Sequence, residues 1–519
     1  MMFSEYAAAR RRKENIMSET LQKFMDYQKK LAKYRTVTSL LDWEIATEAP
    51  RKGIPALIDT LSFFSTKCFE LETAKEYGEL IAELAKPEEY EQLDEAMKLT
   101  VRRYSREFEK NSRIPQAFYT EFVEASSHSE RAWREAKEKQ DYSIFCPHLQ
   151  KMIDMKRQMT MYTDPDREVY DAMIDQYEEG MDCATINRLF SELKAELVPF
   201  VQKLAAQPQP DRSIFEGHYD IDAQRHLQDF LLDYIGFSHE AGTTGETEHP
   251  FTDSISKYDV RVTNHYREDE AIDAMFTAIH EGGHAIFDQN IAPEYEYTAV
   301  NQVNMMGLHE SQSRFFENIL GRNINFWKPI YGKLGEFLPK FREITLEQFE
   351  REINRVQCSM IRTGADEVTY AFHIILRYEL EQAIFRDGVT AKELPALWNQ
   401  KMQELLGICP ANDAEGILQD VHWSDGSFGY FPSYLLGSIY DGMYLEQIEQ
   451  ELGDLDTILA EGRVKEITHW LNEKIHRHGS MYTSSEVIRR LCGKEISAQP
   501  LIRYFKEKYT RIYGLGEKE

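Results

Sequence analysis

Apolar residues recur at three- and four-residue spacing along most of the chain, with polar faces between them. That period predicts amphipathic helices. Leu189, Phe190, Leu193, Leu197 and Phe200 form one such stripe, and the region from 17 to 205 reads as a succession of helices. Helix breakers are scarce, with 27 Gly and 17 Pro in 519 residues. Turn chemistry gathers at 207–218 and 236–254, and a helix is expected between them at 221–235. The pattern then changes to alternation in KYDVRVTNHY, where Val260 and Val262 are interleaved with Asp259, Arg261 and Thr263. A short strand follows from that, with Asp259 and Thr263 on its outward face. Helical spacing returns from 268, pauses at a Gly-rich aromatic stretch over 422–442, and runs on to the end. The expected fold class is mainly α, with a small β element and with the irregular segments lining a cleft. Residues 1–16 read as a frayed or extra extension, and 17–519 as a single domain.

Composition narrows the function. Apolar residues make up 42% and charged residues 29%, which excludes a disordered or fibrous chain. The formal charge of −27 repels phosphate backbones and anionic lipid, so neither nucleic acid nor a membrane is an expected partner. The basic residues at 10–13 have no apolar run behind them, unlike a secretory signal. Six scattered cysteines without a CxxC pair suit reduced thiols in a cytoplasmic protein.

The candidate chemistry lies in EDEAIDAMFTAIHEGGHAIFDQN at 268–290. Glu268, Asp269 and Glu270 suit the first turn of a helix, where the dipole favours anions. Within that helix His280 and His284 are four apart, so both imidazoles reach one ion from one face. Glu281 stands beside them, placed to take a proton from a water on the ion. Gly282 and Gly283 each cost roughly 1 kcal/mol against Ala in a helix, so another backbone or a substrate comes close there. A catalytic zinc needs a third protein ligand. The next helical segment, GLHESQSRFFENILG, offers Glu310, with His309 and Glu317 as rivals, and spacing does not separate them. Asp288 reads as a solvated helix residue, or else as a partner orienting a ligand imidazole. His128, His148, His226, His469, His476 and His478 have no partner at ligand spacing and read as surface or packing residues.

Five blocks then point to a family: DVRVT at 259–263, HEGGH at 280–284, HESQ at 309–312, IRTGAD at 361–366 and GILQDVHW at 416–423. Weaker similarity covers LLDWEIATEAPRKG at 40–53 and FGYFPSY at 428–434. In these the chain resembles the carboxypeptidase Taq family of zinc metallocarboxypeptidases, from about residue 36 to the C-terminus. The resemblance implies a helical body split into two lobes by a deep groove with the metal at its floor, and a homodimer. It implies Glu310 as the third ligand. It also implies release of single amino acids from the free C-terminus of peptides, with Zn2+ as cofactor and Co2+ able to substitute.

Within that reading Glu281 is the general base. Tyr434, His422 and Tyr430 are candidates to face the reacting carbonyl, Tyr434 being preferred as catalytic donor by analogy with other helical zinc peptidases. Tyr430 and Tyr434 could equally be packing residues of the groove wall. Arginine suits a carboxylate because its planar fork binds bidentately. Arg362 is the first choice of anchor, against a salt bridge to Asp366 one helical turn away, and Arg261 is the second. GILQDVHW is expected to shape the closed end of the groove, with Asp420 structural. Two rival functions remain open on sequence: an endo-acting or dipeptide-releasing zinc oligopeptidase, and a non-catalytic peptide-binding protein.

Overall fold

A helix forms over Glu19–Ala46 (α1), where Ser18 caps the first turn by accepting from the Leu21 amide at 3.1 Å. The computed structural model describes residues 18–302 and 305–516, so the expectation for residues 1–16 lies outside the described residues. Helices dominate from there on, as the spacing of apolar positions requires. The stripe from Leu189 to Phe200 is buried in the helix Cys183–Ala205. The helix expected at 221–235 is Ile221–Ile235 (α2), capped by Asp220.

The second turn-rich stretch differs from expectation. It contains two strands, β1 (Gly242–Glu246) and β2 (Thr252–Ser256), flanking β3 (Asp259–Asn264) in the order β1-β3-β2. The strand β1 runs parallel to β3, and β2 runs antiparallel to it. GTTGE and TDSIS have no apolar alternation because they are edge strands, only partly buried. The central strand carries the apolar pattern: Val260 and Val262 are fully buried. Thr263 is not on the outward face. It is buried, and its hydroxyl donates to the Phe251 carbonyl at 2.8 Å and accepts from the Phe251 amide at 2.7 Å. This double bond across the hairpin fixes the segment preceding β2.

Four further helices build the groove. They are α3 (Ile272–Asn290), α4 (Met306–Arg314), α5 (Tyr370–Phe385) and α6 (Phe431–Leu452). The acidic run precedes α3 rather than forming its first turn, and the Glu270 carboxylate accepts from the amides of Ile272 and Asp273 at 2.8 and 2.9 Å. A π-helical turn, Phe315–Leu320, continues α4. The 422–442 stretch splits in two: a short helix at His422–Asp425 and a loop to 430, then α6 from Phe431. Gly429 makes that loop possible. It has φ +88°, and a Cβ there would lie 2.7 Å from the Met173 carbonyl carbon. The buried Glu381 carboxylate latches the loop by accepting from Trp423 Nε1 at 2.7 Å, the Gly429 amide at 2.9 Å and the Tyr170 hydroxyl at 2.7 Å. Burial raises its pKa to about 7.

One continuous apolar core runs from Ala132 to Tyr509, with Trp327, Trp398 and Phe315 fully enclosed. A smaller cluster around Phe24, Tyr77 and Tyr104 joins the N-terminal helices. The strand β2 and Trp43 of α1 meet above the groove, where Trp43 packs edge-on to Phe251 at 5.9 Å. No described helix is long and apolar enough to cross a membrane, and all six cysteines are free thiols.

Candidate active site

The groove has a volume of about 740 Å³ and is lined by α3, α4, the 362–370 segment and the start of α6. Its floor depends on two glycines. A Cβ on Gly283 of α3 would lie 2.7 Å from the Gln312 carbonyl oxygen of α4. A Cβ on Gly437 of α6 would lie 3.0 Å from the Gly307 carbonyl oxygen and the Ser311 amide of the same helix. Helix α4 is thus held backbone to backbone between two neighbours, and this brings Glu310 up to the histidines. Of the close approaches expected at HEGGH, the one at Gly283 is to the helix that carries Glu310.

Glu310 Oε2 lies 3.5 Å from His284 Nε2 and 3.9 Å from His280 Nε2. Ligand atoms about 2 Å from one tetrahedral ion stand about 3.3 Å apart. The His280–His284–Glu310 group therefore fits a divalent cation, and it is one of two such groupings among the described residues. The other, Glu168–Asp171–Cys183, has its acid Asp171 already accepting from the Cys183 amide at 2.7 Å. The His280 Nδ1 meets Glu317 Oε2 at 2.8 Å, which leaves Nε2 turned to the ion position. Arg322 holds the other Glu317 oxygen at 3.1 Å, and Arg314 Nε holds Glu310 Oε1 at 2.8 Å.

The charges respond to one another. Burial would lower the pKa of His280, but Glu317, Glu310 and Glu281 outweigh it and raise it to about 9. Burial would raise Glu310, but Arg314 and the two imidazoles hold it well below the usual carboxylate range. Glu317 falls to about 2 against the same burial, through its bond to His280 and the nearby Arg322 and Arg314.

The rivals for third ligand have other partners. Glu317 is the hydrogen-bond acceptor of His280, while His309 stacks on His284 at 4.4 Å and pairs with Asp288 at 3.2 Å. Asp288 is therefore neither solvated nor bonded to a ligand imidazole. Among the described residues, the buried His284 Nδ1 has no hydrogen-bond partner. His476, distant from the blocks in sequence, is a packing residue whose Nε2 meets Gln312 Oε1 of the HESQ block at 2.7 Å. Glu281 lines the groove, and Thr252 Oγ1 of β2 sits 2.7 Å from its Oε2.

The opposite wall is built on arginine. Arg362 sits on a 3-10 turn, Arg362–Gly364, so the helical i,i+4 pairing with Asp366 does not form. Asp366 instead accepts from the amides of Gln357, Val368 and Thr369. Arg362 meets Asp420 of the GILQDVHW block, through Nε at 2.9 Å and Nη2 at 2.8 Å. The other Asp420 oxygen holds the fully buried Arg377 at 2.6–2.7 Å. Against the cost of burial, these two guanidiniums keep the Asp420 carboxyl far below its ordinary value. Arg261 lies elsewhere: its fork is taken by Asp259 at 2.8 and 3.0 Å, and its guanidinium stacks 5.4 Å over Trp43.

Tyr430 and Tyr434 both line the groove, with ring centroids 5.1 Å apart. Burial first pushes both phenols up, helped by the Glu310 charge and Tyr370 at Tyr430, and by Tyr430, Tyr370 and Glu310 at Tyr434. His422 stands behind them, outside the groove lining, with Nε2 3.3 Å from the Tyr434 hydroxyl. Burial lowers its pKa to about 4, which leaves a neutral imidazole. Thr252, Arg314, Arg322 and Tyr370 escaped sequence reasoning. Arg314, one turn after Glu310, is the member of that set with a readable spacing signal.

Two histidines one turn apart, a glutamate beside the first and a carboxylate from a second helix, all in one groove, define a helical metallopeptidase. The chain belongs to the carboxypeptidase Taq (M32) metallopeptidase family, whose profile matches residues 23–509. It is a metallocarboxypeptidase, a hydrolase that releases C-terminal residues. Carboxypeptidase 1 of Bacillus subtilis (strain 168) is 40% identical over 494 residues, covering 95% of this chain and 98% of that one. Thermostable carboxypeptidase 1 of Thermus thermophilus is 33% identical over 504 residues, covering 95% and 99%. The crystal structure of an M32 carboxypeptidase from Deinococcus radiodurans R1 matches with a TM-score of 0.92 at 29% identity, covering 96% of this chain and 100% of that one.

Proposed function

We propose that this metallocarboxypeptidase removes single residues from free peptide C-termini using zinc, with cobalt able to substitute, held by His280, His284 and Glu310. The observation that carries the reading is the meeting of this triad and Arg362 across one groove. A zinc ion held by two His and one Glu supplies Lewis acidity and lowers the pKa of a water to about 7. Glu281 takes the proton from the attacking water and returns it to the leaving amine. The bond from Thr252 keeps its carboxylate turned into the groove. Tyr434 donates to the carbonyl oxygen as charge builds there. His422, held neutral behind it, positions that hydroxyl and does not itself touch substrate. Tyr430 forms the wall beside the scissile bond.

Arg362 receives the C-terminal carboxylate. Asp420 occupies one edge of its guanidinium and leaves the far edge for the peptide. Arg261 has a different role, tying β3 to α1 through Trp43. The chain from residue 17 onward acts as one domain around this groove. Free thiols support a cytoplasmic setting, and the family resemblance supports a homodimer, which light scattering on the purified protein tests.

The deciding experiment is mass spectrometry of an unblocked peptide and its C-terminally amidated twin, each incubated with zinc- or cobalt-loaded protein. Stepwise loss of single residues from the unblocked peptide alone is expected. Internal or two-residue cuts in both peptides would replace this reading with an endo-acting or dipeptide-releasing oligopeptidase. Saturable binding without any cut would leave a peptide-binding protein.

A further inference from the structure

The IRTGADEVTY segment ends on a residue the mechanism above does not use. Tyr370 opens helix α5, is 7% exposed and lines the same groove as Arg362. We propose that the Tyr370 hydroxyl is a second anchor of the substrate C-terminus, donating to the carboxylate that Arg362 receives. This rests on the reading of Arg362 as the first anchor.

Hydrogen-bond chemistry carries the inference. Arg362 Nη1 lies 3.0 Å from the Tyr370 hydroxyl oxygen. A guanidinium has five N–H donors and no acceptor, so the tyrosine oxygen must be accepting in that contact. Among the described residues this is the one side-chain hydrogen bond of the hydroxyl, so its own hydrogen is uncommitted. A phenol in the groove wall next to a positive charge, with its hydrogen unspent, suits an anion. Arg362 is arranged to match. Asp420 takes Nε and one hydrogen of Nη2, and Tyr370 takes one of Nη1, which leaves one N–H on each terminal nitrogen for the substrate.

The ring of Tyr370 is fixed although its hydroxyl is free to rotate. The Arg314 guanidinium lies 3.7 Å from the ring centroid, on the face of the phenol. That same Arg314 holds Glu310. One tyrosine thus has its edge at the anchor and its face against the residue that steadies the ion position. Tyr434 is not equivalent, because its hydroxyl, backed by His422, is the one assigned to the reacting carbonyl.

The test measures binding of an unblocked tripeptide and its C-terminal amide to zinc-loaded protein by calorimetry. All variants carry Glu281→Gln so that neither peptide is cut. The quantity read is the affinity ratio between the two peptides within one variant, which does not depend on the fraction of protein that is correctly folded. Tyr370→Phe keeps the ring against Arg314 and removes only the hydroxyl. It is expected to lower the ratio by about tenfold to a hundredfold, the range of a hydrogen bond to a charged group. Arg362→Met is expected to lower it at least as much. A ratio that falls in Arg362→Met but is unchanged in Tyr370→Phe overturns the second anchor and leaves the first. A ratio unchanged in both overturns both assignments. Equal weakening of both peptides by Tyr370→Phe would mean that the hydroxyl only shapes the wall, and it too overturns the proposal.

Discussion

Around His280 and His284, three carboxylates (Glu281, Glu310 and Glu317) meet two guanidiniums, those of Arg314 and Arg322. Around Arg362 the proportion is reversed, with two guanidiniums sharing the single carboxylate of Asp420. One side of the groove therefore keeps a negative charge in excess and the other a positive one. With the imidazoles counted as neutral, the histidines of the two sides respond in opposite ways. On the first side His280 is pushed toward the protonated form, and on the second His422 and His373 are pushed toward the neutral form, to about 4 and about 3. The lesson is that each side is built one counter-charge short, and the missing charges are a cation and a carboxylate. On the proposed reading a peptide C-terminus beside a bound cation would satisfy both at once, which would tie the direction of the peptide chain to the electrostatics of the groove.

That comparison can be broken at several points. The largest effect is expected from Glu281→Gln, which removes the proposed base but not the proposed ligands. Turnover should fall by about 10²- to 10⁴-fold while metal content, measured by atomic absorption, is unchanged. A variant that loses its metal as well would show that Glu281 serves the ion rather than the proton.

Next comes Asp420→Asn, which leaves two buried guanidiniums without their carboxylate. A destabilisation of about 3–5 kcal/mol is expected in urea unfolding at neutral pH. The sign with pH follows from the direction of the shift. The folded carboxyl of Asp420 lies below its unfolded value of about 3.9, so its stabilisation is complete above that value and drains away as pH falls through the folded one. The gap between wild type and variant should therefore be flat from neutral pH down to about 5 and narrow below about 4. A gap that closes on the alkaline side would contradict this account.

Arg362→Ala sharpens the positive side. A rise of about a hundredfold in KM is expected for unblocked peptides, with a much smaller change in the calorimetric affinity for amidated ones. Arg362→Lys should restore little, because an ammonium cannot serve Asp420, Tyr370 and a carboxylate in one plane. The smallest effect is expected at Glu317→Gln, which keeps the shape but weakens the pull on His280 Nδ1. Zinc affinity, measured against a chromophoric chelator, should fall about 10- to 100-fold. No change in affinity would remove Glu317 from the negative side of the comparison.

Much of this was legible in the sequence, for identifiable reasons. A helix carries its own period, so α2, α3 and the buried stripe at 189–200 could be read from spacing alone. His280, Glu281 and His284 are local to one helix, and their meeting needs no tertiary information. Glu310 depends on how two helices pack, and there the family blocks supplied what spacing could not. The strands β1 and β2 were hidden because edge strands of a small mixed sheet need no apolar alternation. The pairing of Arg362 with Asp420 was missed for a related reason. The i,i+4 rule assumes a helix, whereas the backbone at 362–364 is a 3-10 turn, and the true partner is 58 residues away. Tyr370 gave no signal at all, since a phenol in an aromatic-rich chain reads as packing until its hydrogen-bond partners are known.

The contact of α4 with Gly283 and Gly437 also bears on how such a protein tolerates divergence. Where helices touch through side chains, a change in one layer can be absorbed by another, and the spacing drifts as substitutions accumulate. Here no side chain stands between the backbones, so drift in the surrounding core has nothing to act on at this spot. The distance from the paired histidines to Glu310 is set by peptide groups, and it can be inherited unchanged while the apolar residues around it are replaced.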